Sequence, residues 1–169
     1  MGVDSPSGEY QCPRIMTGAS ETTIHATSVA LDAGTGRAGV MLRGPSGSGK
    51  SDLALRLVDD GAHLIADDRT MLRRAGDAVL LAVPDAIRGR LEVRGLGIVP
   101  VASDDDVPLV LIVDLVEHRA VERLPAARSE DVLGLAIPVL ALAPFEISAA
   151  AKVRLAVRVA GCGIIHQLD

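Results

Sequence analysis

Eight consecutive residues match the pattern G-x-x-x-x-G-K-[S/T], which is typical of loops that bind nucleotide phosphates. They are Gly44, Pro45, Ser46, Gly47, Ser48, Gly49, Lys50 and Ser51. Glycines let the backbone curl so that successive N–H groups point at phosphate oxygens, and a following helix adds its N-terminal dipole. Lys50 would contact the β- and γ-phosphates, and the Ser51 hydroxyl would bind Mg²⁺. The pattern predicts nucleotide or phosphate binding but does not specify the reaction.

Such a phosphate loop also needs a carboxylate near the metal ion, and this carboxylate usually follows an apolar strand. Asp67 and Asp68 end the apolar segment HLIADD (63–68). One of two adjacent carboxylates can face the metal while the other takes a proton from the attacking group. Asp114, within LVLIVDLV (109–116), fits this pattern less well because apolar residues follow it.

The patterns around these residues indicate many strands and two clear helices. We predict strands at 22–33, 38–44, 63–68, 109–116 and 136–145, a hairpin at 70–84 turning at Gly76-Asp77, and helices at 51–61 and 147–161. Pro138 favours an edge position or a strand start. The glycine-rich segment 91–101 shows no clear period, and the acidic run 104–106 predicts a solvated loop. This proportion of strands to helices indicates an α/β fold with a mixed sheet and flanking helices.

The composition limits the class of protein. The chain has 169 residues and a mass of 17.5 kDa, which fits one domain. With 49% hydrophobic and 23% charged residues, it is not a disordered chain. The net charge of −5 argues against nucleic acid as a partner, and the scarcity of aromatic residues (Tyr10 and Phe145) excludes a stacking platform for single strands. Adenine, if bound, is therefore expected to contact aliphatic side chains and backbone.

The N-terminal segment and the apolar runs bear on where the protein is expected to reside. Residues 1–21 predict a flexible leader before a single domain at 22–169. No N-terminal segment resembles a signal peptide, and the longest apolar run, 109–113, is too short to span a bilayer. Cys12 and Cys162 share no metal-ligand spacing and are expected to be reduced thiols. We therefore expect a cytoplasmic protein without a membrane partner.

Two further segments carry a resemblance to a known family. Together with the phosphate loop, GAHLIADDR (61–69) and LEVRGLGIV (91–99) resemble the catalytic domain of HPr kinase/phosphorylase, whose signature is E-[IV]-R-G-L-G-I. His25 and Arg123 match the family more loosely, and the resemblance covers about residues 22 to 160. It implies a P-loop fold akin to that of phosphoenolpyruvate carboxykinase.

The resemblance also implies a reaction. Members of the family phosphorylate a serine of the small phosphocarrier protein HPr with ATP or pyrophosphate and Mg²⁺, and many reverse the reaction with inorganic phosphate. For this chain the resemblance implies an ATP- and Mg²⁺-dependent serine kinase that acts on an HPr-like protein, could also catalyse the reverse phosphorylase reaction, and forms a homo-oligomer.

The family's functional residues can be carried over to matching positions. Lys50 would hold the phosphates, and Ser51 and Glu92 would bind Mg²⁺. The pair Asp67 and Asp68 would supply the general base, with Asp68 slightly favoured. The resemblance further implies that Arg123 stabilises the transferring phosphoryl group and that His25 supports the site from the side.

The chain departs from the family in two places. Full-length members carry an additional N-terminal domain, whereas only 1–21 precede the first predicted strand, so the chain resembles the truncated form of some Gram-negative bacteria. The family's turn P-x-R-P-G-R-N, tied to dephosphorylation, corresponds here to IPVLALAPFEIS (137–148). We therefore expect the kinase reaction more than the phosphorylase reaction.

Two other functions stay open at this point. The chain could be an ATP-sensing regulatory module with little catalysis of its own. It could also be a small-metabolite kinase, which the phosphate loop alone allows but the signature motif does not explain.

Overall fold

The computed structural model describes residues 20–161, which form eleven strands and two helices. The strands are β1 (Glu21–Ile24), β2 (Thr27–Asp32), β3 (Arg37–Arg43), β4 (His63–Ala66), β5 (Thr70–Ala75), β6 (Ala78–Ala82), β7 (Arg90–Val93), β8 (Gly97–Pro100), β9 (Val107–Leu115), β10 (Ser129–Val132) and β11 (Leu135–Leu142). The helices are α1 (Lys50–Asp59) and α2 (Ala149–Gly161). Residues 1–19 of the predicted leader, and both cysteines, lie outside the described residues.

Nine of the strands form one mixed sheet in the order β1-β5-β6-β9-β3-β2-β4, with β11 also on β9 and β10 on β11. One edge of β9 is shared, since β6 pairs with its first residues and β11 with its last four. Strands β7 and β8 form a separate two-stranded hairpin. The predicted mixed sheet is therefore confirmed. No helix within residues 20–161 is long and apolar enough to cross a membrane.

Strand directions bring three chain segments to one edge of this sheet. Strand β2 lies between β3 and β4 and runs antiparallel to both, so β3 and β4 end at the edge where β2 begins. In this register Thr27 faces Leu42 of β3, and Ser28 faces Ala66 of β4. The phosphate loop after β3, the start of β2 and the aspartate pair after β4 consequently meet.

The core is aliphatic and lies on both faces of the sheet. On one face Val40 and Leu42 of β3 pack in a cluster that includes Leu53 and Leu57 of α1. On the other face Met41 belongs to a second cluster, built largely from the other strands. Because successive side chains of a strand point to opposite faces, β3 is buried on both sides and anchors the loop that follows it.

Several predicted elements were wrong or missing. The single strand predicted at 22–33 is two strands, because β1 pairs with β5 while β2 pairs with β3 and β4, and the chain changes direction at His25 and Ala26. The segment 91–101, which had no clear period, contains most of the β7–β8 hairpin. Strand β10 was missed because its sequence, SEDV, is short and polar.

Other predictions are confirmed with small shifts. Helix α1, the β5–β6 hairpin and β9 form where the apolar periods placed them. The predicted strand 63–68 stops at Ala66, so the aspartate pair lies just beyond it. The strand start that Pro138 favoured is wrong, because Pro138 is the fourth residue of β11, at the point where β11 changes partner from β10 to β9. The acidic run 104–106 is more than a solvated loop, since its three carboxylates pair with arginines of neighbouring segments.

An ion-paired arginine is buried directly before the phosphate loop. The Arg43 side chain is 1% exposed, and its Nε donates to Asp114 Oδ1 at 2.9 Å. Its two terminal nitrogens donate to Glu130 of β10, each at 2.8 Å. Asp114 therefore holds β3 to β9 and lies outside the cleft described below, which argues against the phosphate-site role considered for it.

Replacing Asp114 with alanine leaves the Arg43 guanidinium buried with one carboxylate fewer. We expect the free energy of unfolding to fall by about 3 kcal/mol, at the low end for a broken buried pair because Glu130 remains. Urea denaturation measures this change. The control Arg73→Ala removes an exposed ion pair with Asp106 and should have little effect. Equal stabilities of the two variants would contradict the assignment of Asp114 to a stabilising ion pair with the buried Arg43.

Candidate functional site

The phosphate loop, residues 44–51, joins the end of β3 to the start of α1. Gly49 precedes the helix with a φ of +95°, in the left-handed region that favours glycine. A Cβ at Gly44 would crowd the Ser48 side chain and would lie 3.2 Å from Cβ of Leu115, so glycine fits this closely packed position best. The helix starts at Lys50, so the backbone N–H groups of its first turn have no partner within the helix and face the loop. This arrangement fits a bound phosphate.

Lys50 is buried beneath the loop, with 7% of its surface exposed. Its Nζ donates to the carbonyl oxygens of Gly44 at 2.9 Å and Pro45 at 3.0 Å. An ammonium has three N–H donors, so the third can serve a phosphate oxygen. Burial lowers the pKa of Lys50, and the negative charges of Asp68 and Asp67 partly oppose this effect.

Asp67 is the point at which three segments are tied together. Its Oδ1 accepts hydrogen bonds from the Ser51 hydroxyl at 2.9 Å and the Thr27 hydroxyl at 3.0 Å. Its Oδ2 accepts from the backbone N–H of Glu92 at 3.1 Å. The carboxylate thus links the first turn of α1, the first residue of β2 and the β7–β8 hairpin, and it holds the Ser51 hydroxyl in place.

Asp68 points elsewhere, although it is the next residue. Its φ of +68° is in the left-handed region, which aspartate and asparagine tolerate better than most residues. Its side chain is 75% exposed, and its Oδ1 lies 3.1 Å from Nδ1 of His25. The backbone conformation therefore separates the two carboxylates, one toward Ser51 and the other toward His25 and solvent.

These side chains surround a cleft of about 470 Å³. A volume of this size is in the range of ordinary small-molecule sites. The cleft is lined by His25, Ser46, Gly47, Gly49, Lys50, Ser51, Asp52, Leu55, Asp68, Glu92, Val93, Arg94 and Phe145. The structure thus brings together His25, Lys50, Ser51, Asp68 and Glu92. Asp67 lies next to them, hydrogen-bonded to Ser51.

Of the predicted residues that do not line this cleft, Asp67, Gly44, Pro45 and Ser48 lie in or against the phosphate loop, whereas Arg123 belongs to a separate segment. It is exposed in the segment between the short 3₁₀ turn His118–Ala120 and β10. Arg94, from the turn of the β7–β8 hairpin, lines the cleft instead. The sequence signal that could have pointed to Arg94 is its position within the LEVRGLGIV motif.

Sequence reasoning also missed Thr27 and Phe145. Thr27 is fully buried, and its hydroxyl also lies 3.5 Å from the backbone N–H of Asp68, so it contacts both members of the aspartate pair. No motif marks it, because its role arises from the pairing of β2 with β3 and β4. Phe145 enters the cleft from the loop between β11 and α2.

Comparison with known proteins identifies relatives of this chain. A family model described as the HPr Serine kinase C-terminal domain matches residues 17–160. A curated HPr kinase/phosphorylase from Exiguobacterium sp. is 48% identical over 66 residues, which cover 38% of this chain and 21% of that protein. The HPr kinase/phosphorylase of Prosthecochloris aestuarii is 39% identical over 116 residues, which cover 62% of this chain and 34% of that protein. The chain therefore spans about a third or less of the length of either relative.

A solved structure shows the same fold. The structure of the Hpr(Ser) kinase/phosphatase from Coxiella burnetii matches with a TM-score of 0.73 and 24% sequence identity. The match covers 85% of this chain and 98% of that one. The mixed sheet with its two helices is thus a known arrangement.

The hydrogen bond between Thr27 and Asp67 can be tested by a double-mutant cycle with Thr27→Val and Asp67→Ala, since alanine removes the acceptor oxygen that asparagine would keep. Because the hydroxyl is buried and its acceptor is charged, we expect a coupling of about 1 kcal/mol or more in unfolding free energy. The matched control combines Thr27→Val with Asp77→Ala, in the exposed β5–β6 turn, and should show no coupling. Additive effects in the first cycle would show that the bond does not stabilise the site.

Proposed function

The chain belongs to the HPr serine kinase C-terminal domain family, and from that premise we propose that it transfers the γ-phosphoryl group of ATP to a serine hydroxyl of an HPr-like phosphocarrier protein. The observation that supports this proposal best is the separation of the aspartate pair. Asp67 is bonded to the phosphate-loop hydroxyl of Ser51, while Asp68 faces the cleft beside Lys50. A kinase needs both a carboxylate near the metal and a carboxylate near the attacking hydroxyl.

Asp68 is the proposed general base. A serine hydroxyl is a weak nucleophile at neutral pH, so its proton must be accepted as the new bond forms. The acceptor oxygen bonds to the γ-phosphorus, the bond from that phosphorus to the bridging oxygen breaks, and ADP leaves. Asp68 takes the serine proton, and His25 keeps the Asp68 carboxylate oriented through the 3.1 Å contact.

The remaining proposed roles concern charge. Lys50 neutralises the β- and γ-phosphates from beneath the loop, as in other P-loop proteins. Arg94 lines the cleft and is placed to balance charge on the transferring group, a role that the family resemblance assigned to Arg123. Arg123 could contribute only if its exposed segment moved or if a second chain supplied it.

Residues at the site fit a magnesium ion. The Ser51 hydroxyl and the Asp67 carboxylate are hard oxygen donors already 2.9 Å apart, and Glu92 supplies a further carboxylate at the cleft wall. Within residues 20–161 no cluster of three or more His, Cys, Asp or Glu side chains could hold a metal alone. In nucleotide-dependent Mg²⁺ sites, one or two protein ligands suffice because the phosphates complete the coordination. When bound, the ion would neutralise charge on the phosphates.

We propose the kinase direction rather than the reverse reaction. The segment 137–148 carries no arginine or lysine, and its contribution to the cleft is the apolar Phe145. The cleft therefore lacks, from this segment, the basic side chains that would bind free inorganic phosphate as the attacking group.

The proposed reaction is tested by mixing the purified chain with ATP, Mg²⁺ and an HPr-like protein and recording the intact mass of the acceptor. A gain of about 80 Da, the mass of one phosphoryl group, is expected. ATP binding without any mass gain would contradict the kinase and favour the ATP-sensing alternative. Transfer to a small metabolite in preference to the protein would favour the metabolite kinase.

Asp68→Asn should lower kcat by about 10²- to 10⁴-fold, because asparagine cannot accept the proton. Asparagine tolerates the left-handed backbone at this position, so the fold and ATP affinity should be preserved. Steady-state kinetics and ATP titration measure the two effects. Asp77→Asn makes the same change of charge outside the cleft and serves as the control. An Asp68→Asn variant as active as the control would remove Asp68 from the mechanism.

The pH dependence of phosphate binding tests Lys50. Its pKa is lowered by burial, so the free protein loses the protonated, phosphate-binding form at a pH below 10.5. As the pH rises, the affinity for inorganic tripolyphosphate should therefore begin to decline before pH 10.5 is reached. Calorimetric titrations across this range provide the measurement. Lys50→Met should bind more weakly than wild type at neutral pH and lack this alkaline decline. A decline unchanged in that variant would assign it to another group.

A further inference from the structure

Phe145 is a large apolar side chain exposed to solvent. It is the only phenylalanine in the chain, and 71% of its surface is exposed. It lies in the loop between β11 and α2 and lines the cleft beside the phosphate loop. An exposed aromatic ring on the wall of a polar cleft is a feature that the proposed phosphoryl transfer does not use.

The backbone at Phe145 is fixed from both sides. The guanidinium of Arg56, on α1, donates to the carbonyl oxygen of Pro144 and, at 3.3 Å, to that of Glu146. Arg56 is itself held by Asp52, whose Oδ2 accepts from its Nε at 3.1 Å. The residues on either side of Phe145 are therefore tied to the helix that follows the phosphate loop.

The side chain of Glu146 secures the same loop a second time. It accepts hydrogen bonds from Lys152 and from Nδ1 of His118, the latter at 2.7 Å. These partners, Lys152 first, lower the pKa of Glu146, so it is ionised at neutral pH. Phe145 is consequently an exposed ring on an anchored backbone.

The ring lies against the start of α1. A Cβ built on Gly49 would be 2.9 Å from Cζ of Phe145, which puts the ring edge next to the last glycine of the phosphate loop. Leu55 lines the same cleft from α1. It is five residues beyond Lys50, or about 7.5 Å along the helix axis. Two apolar surfaces thus flank the polar phosphate site.

We propose that Phe145 is the stacking surface for the nucleobase of the bound nucleotide, with Leu55 as a second apolar contact. This inference rests on the proposed function, since it takes a nucleoside triphosphate as the ligand. The phosphates are held at the N-terminus of α1, and the base must leave that site along a wall of the cleft. Bases stack on aromatic rings in water-exposed grooves, and every base offers a π-face.

The proposal revises the expectation that aliphatic and backbone contacts alone hold adenine. Stacking itself does not read the polar edge of a base, so loss of the ring should weaken the binding of ATP and GTP by similar factors.

The experiment compares Phe145→Ala, Phe145→Tyr and wild type by calorimetry, with Mg·ATP, Mg·GTP and Mg·tripolyphosphate as ligands. Phe145→Ala should weaken ATP and GTP binding by about 5- to 100-fold and leave tripolyphosphate binding unchanged. Phe145→Tyr keeps the ring and should retain the affinity for ATP. Because the side chain is exposed, neither change should disturb the fold, which urea denaturation verifies.

Three results would overturn the inference. Phe145→Ala could bind ATP as wild type does; together with a higher KM for the acceptor protein, that result would assign the ring to the acceptor. It could also lose affinity for ATP and tripolyphosphate equally, which would mean that the ring acts on the phosphate loop. A loss of affinity for only one of the two nucleotides would show a contact with the base edge in place of stacking. The two proposals can also fail separately. If wild type binds ATP more tightly than tripolyphosphate and Phe145→Ala abolishes that difference, the stacking surface is supported. If the same wild type transfers no phosphoryl group, the proposed kinase is contradicted.

Discussion

One carboxylate determines how the site is assembled. Asp67 accepts two hydroxyl hydrogen bonds and one backbone hydrogen bond, from α1, β2 and the β7–β8 hairpin. None of these segments is adjacent to the others in sequence. They meet because β2 runs antiparallel between β3 and β4, which brings its first residue to the edge where both neighbours end. The sheet thus positions Asp67, and Asp67 in turn fixes the phosphate-loop serine and the hairpin.

The left-handed backbone of Asp68 separates its carboxylate from that of Asp67. Were both carboxylates directed to the same side, they would repel each other and compete for the same partners. The positive φ turns Asp68 into the cleft, where it contacts His25, and leaves Asp67 behind Ser51. The buried Arg43, ahead of the loop, ties β3 to β9 and β10, so the strand that carries the loop is held on its other side as well.

Local features of the fold could be predicted from the sequence, and long-range ones could not. The phosphate loop, α1 and the β5–β6 hairpin follow from short motifs and apolar periods. The break at His25 and Ala26 depends on which strands pair, and SEDV in β10 has no apolar period. Thr27 and Phe145 reach the site through register and loop anchoring, which no local pattern encodes. The aspartate pair could be predicted from the sequence. The different directions of its two carboxylates could not, because they follow from the positive φ of Asp68.

A crystal structure of the chain with Mg²⁺ and a non-hydrolysable ATP analogue tests the separate roles of the two aspartates most directly. We expect the metal at Ser51 and Asp67, no metal at Asp68, and the Asp68 carboxylate facing the open side of the γ-phosphate beside His25. A metal bound by Asp68, or an Asp67 turned away from Ser51 toward the acceptor side, would contradict these roles.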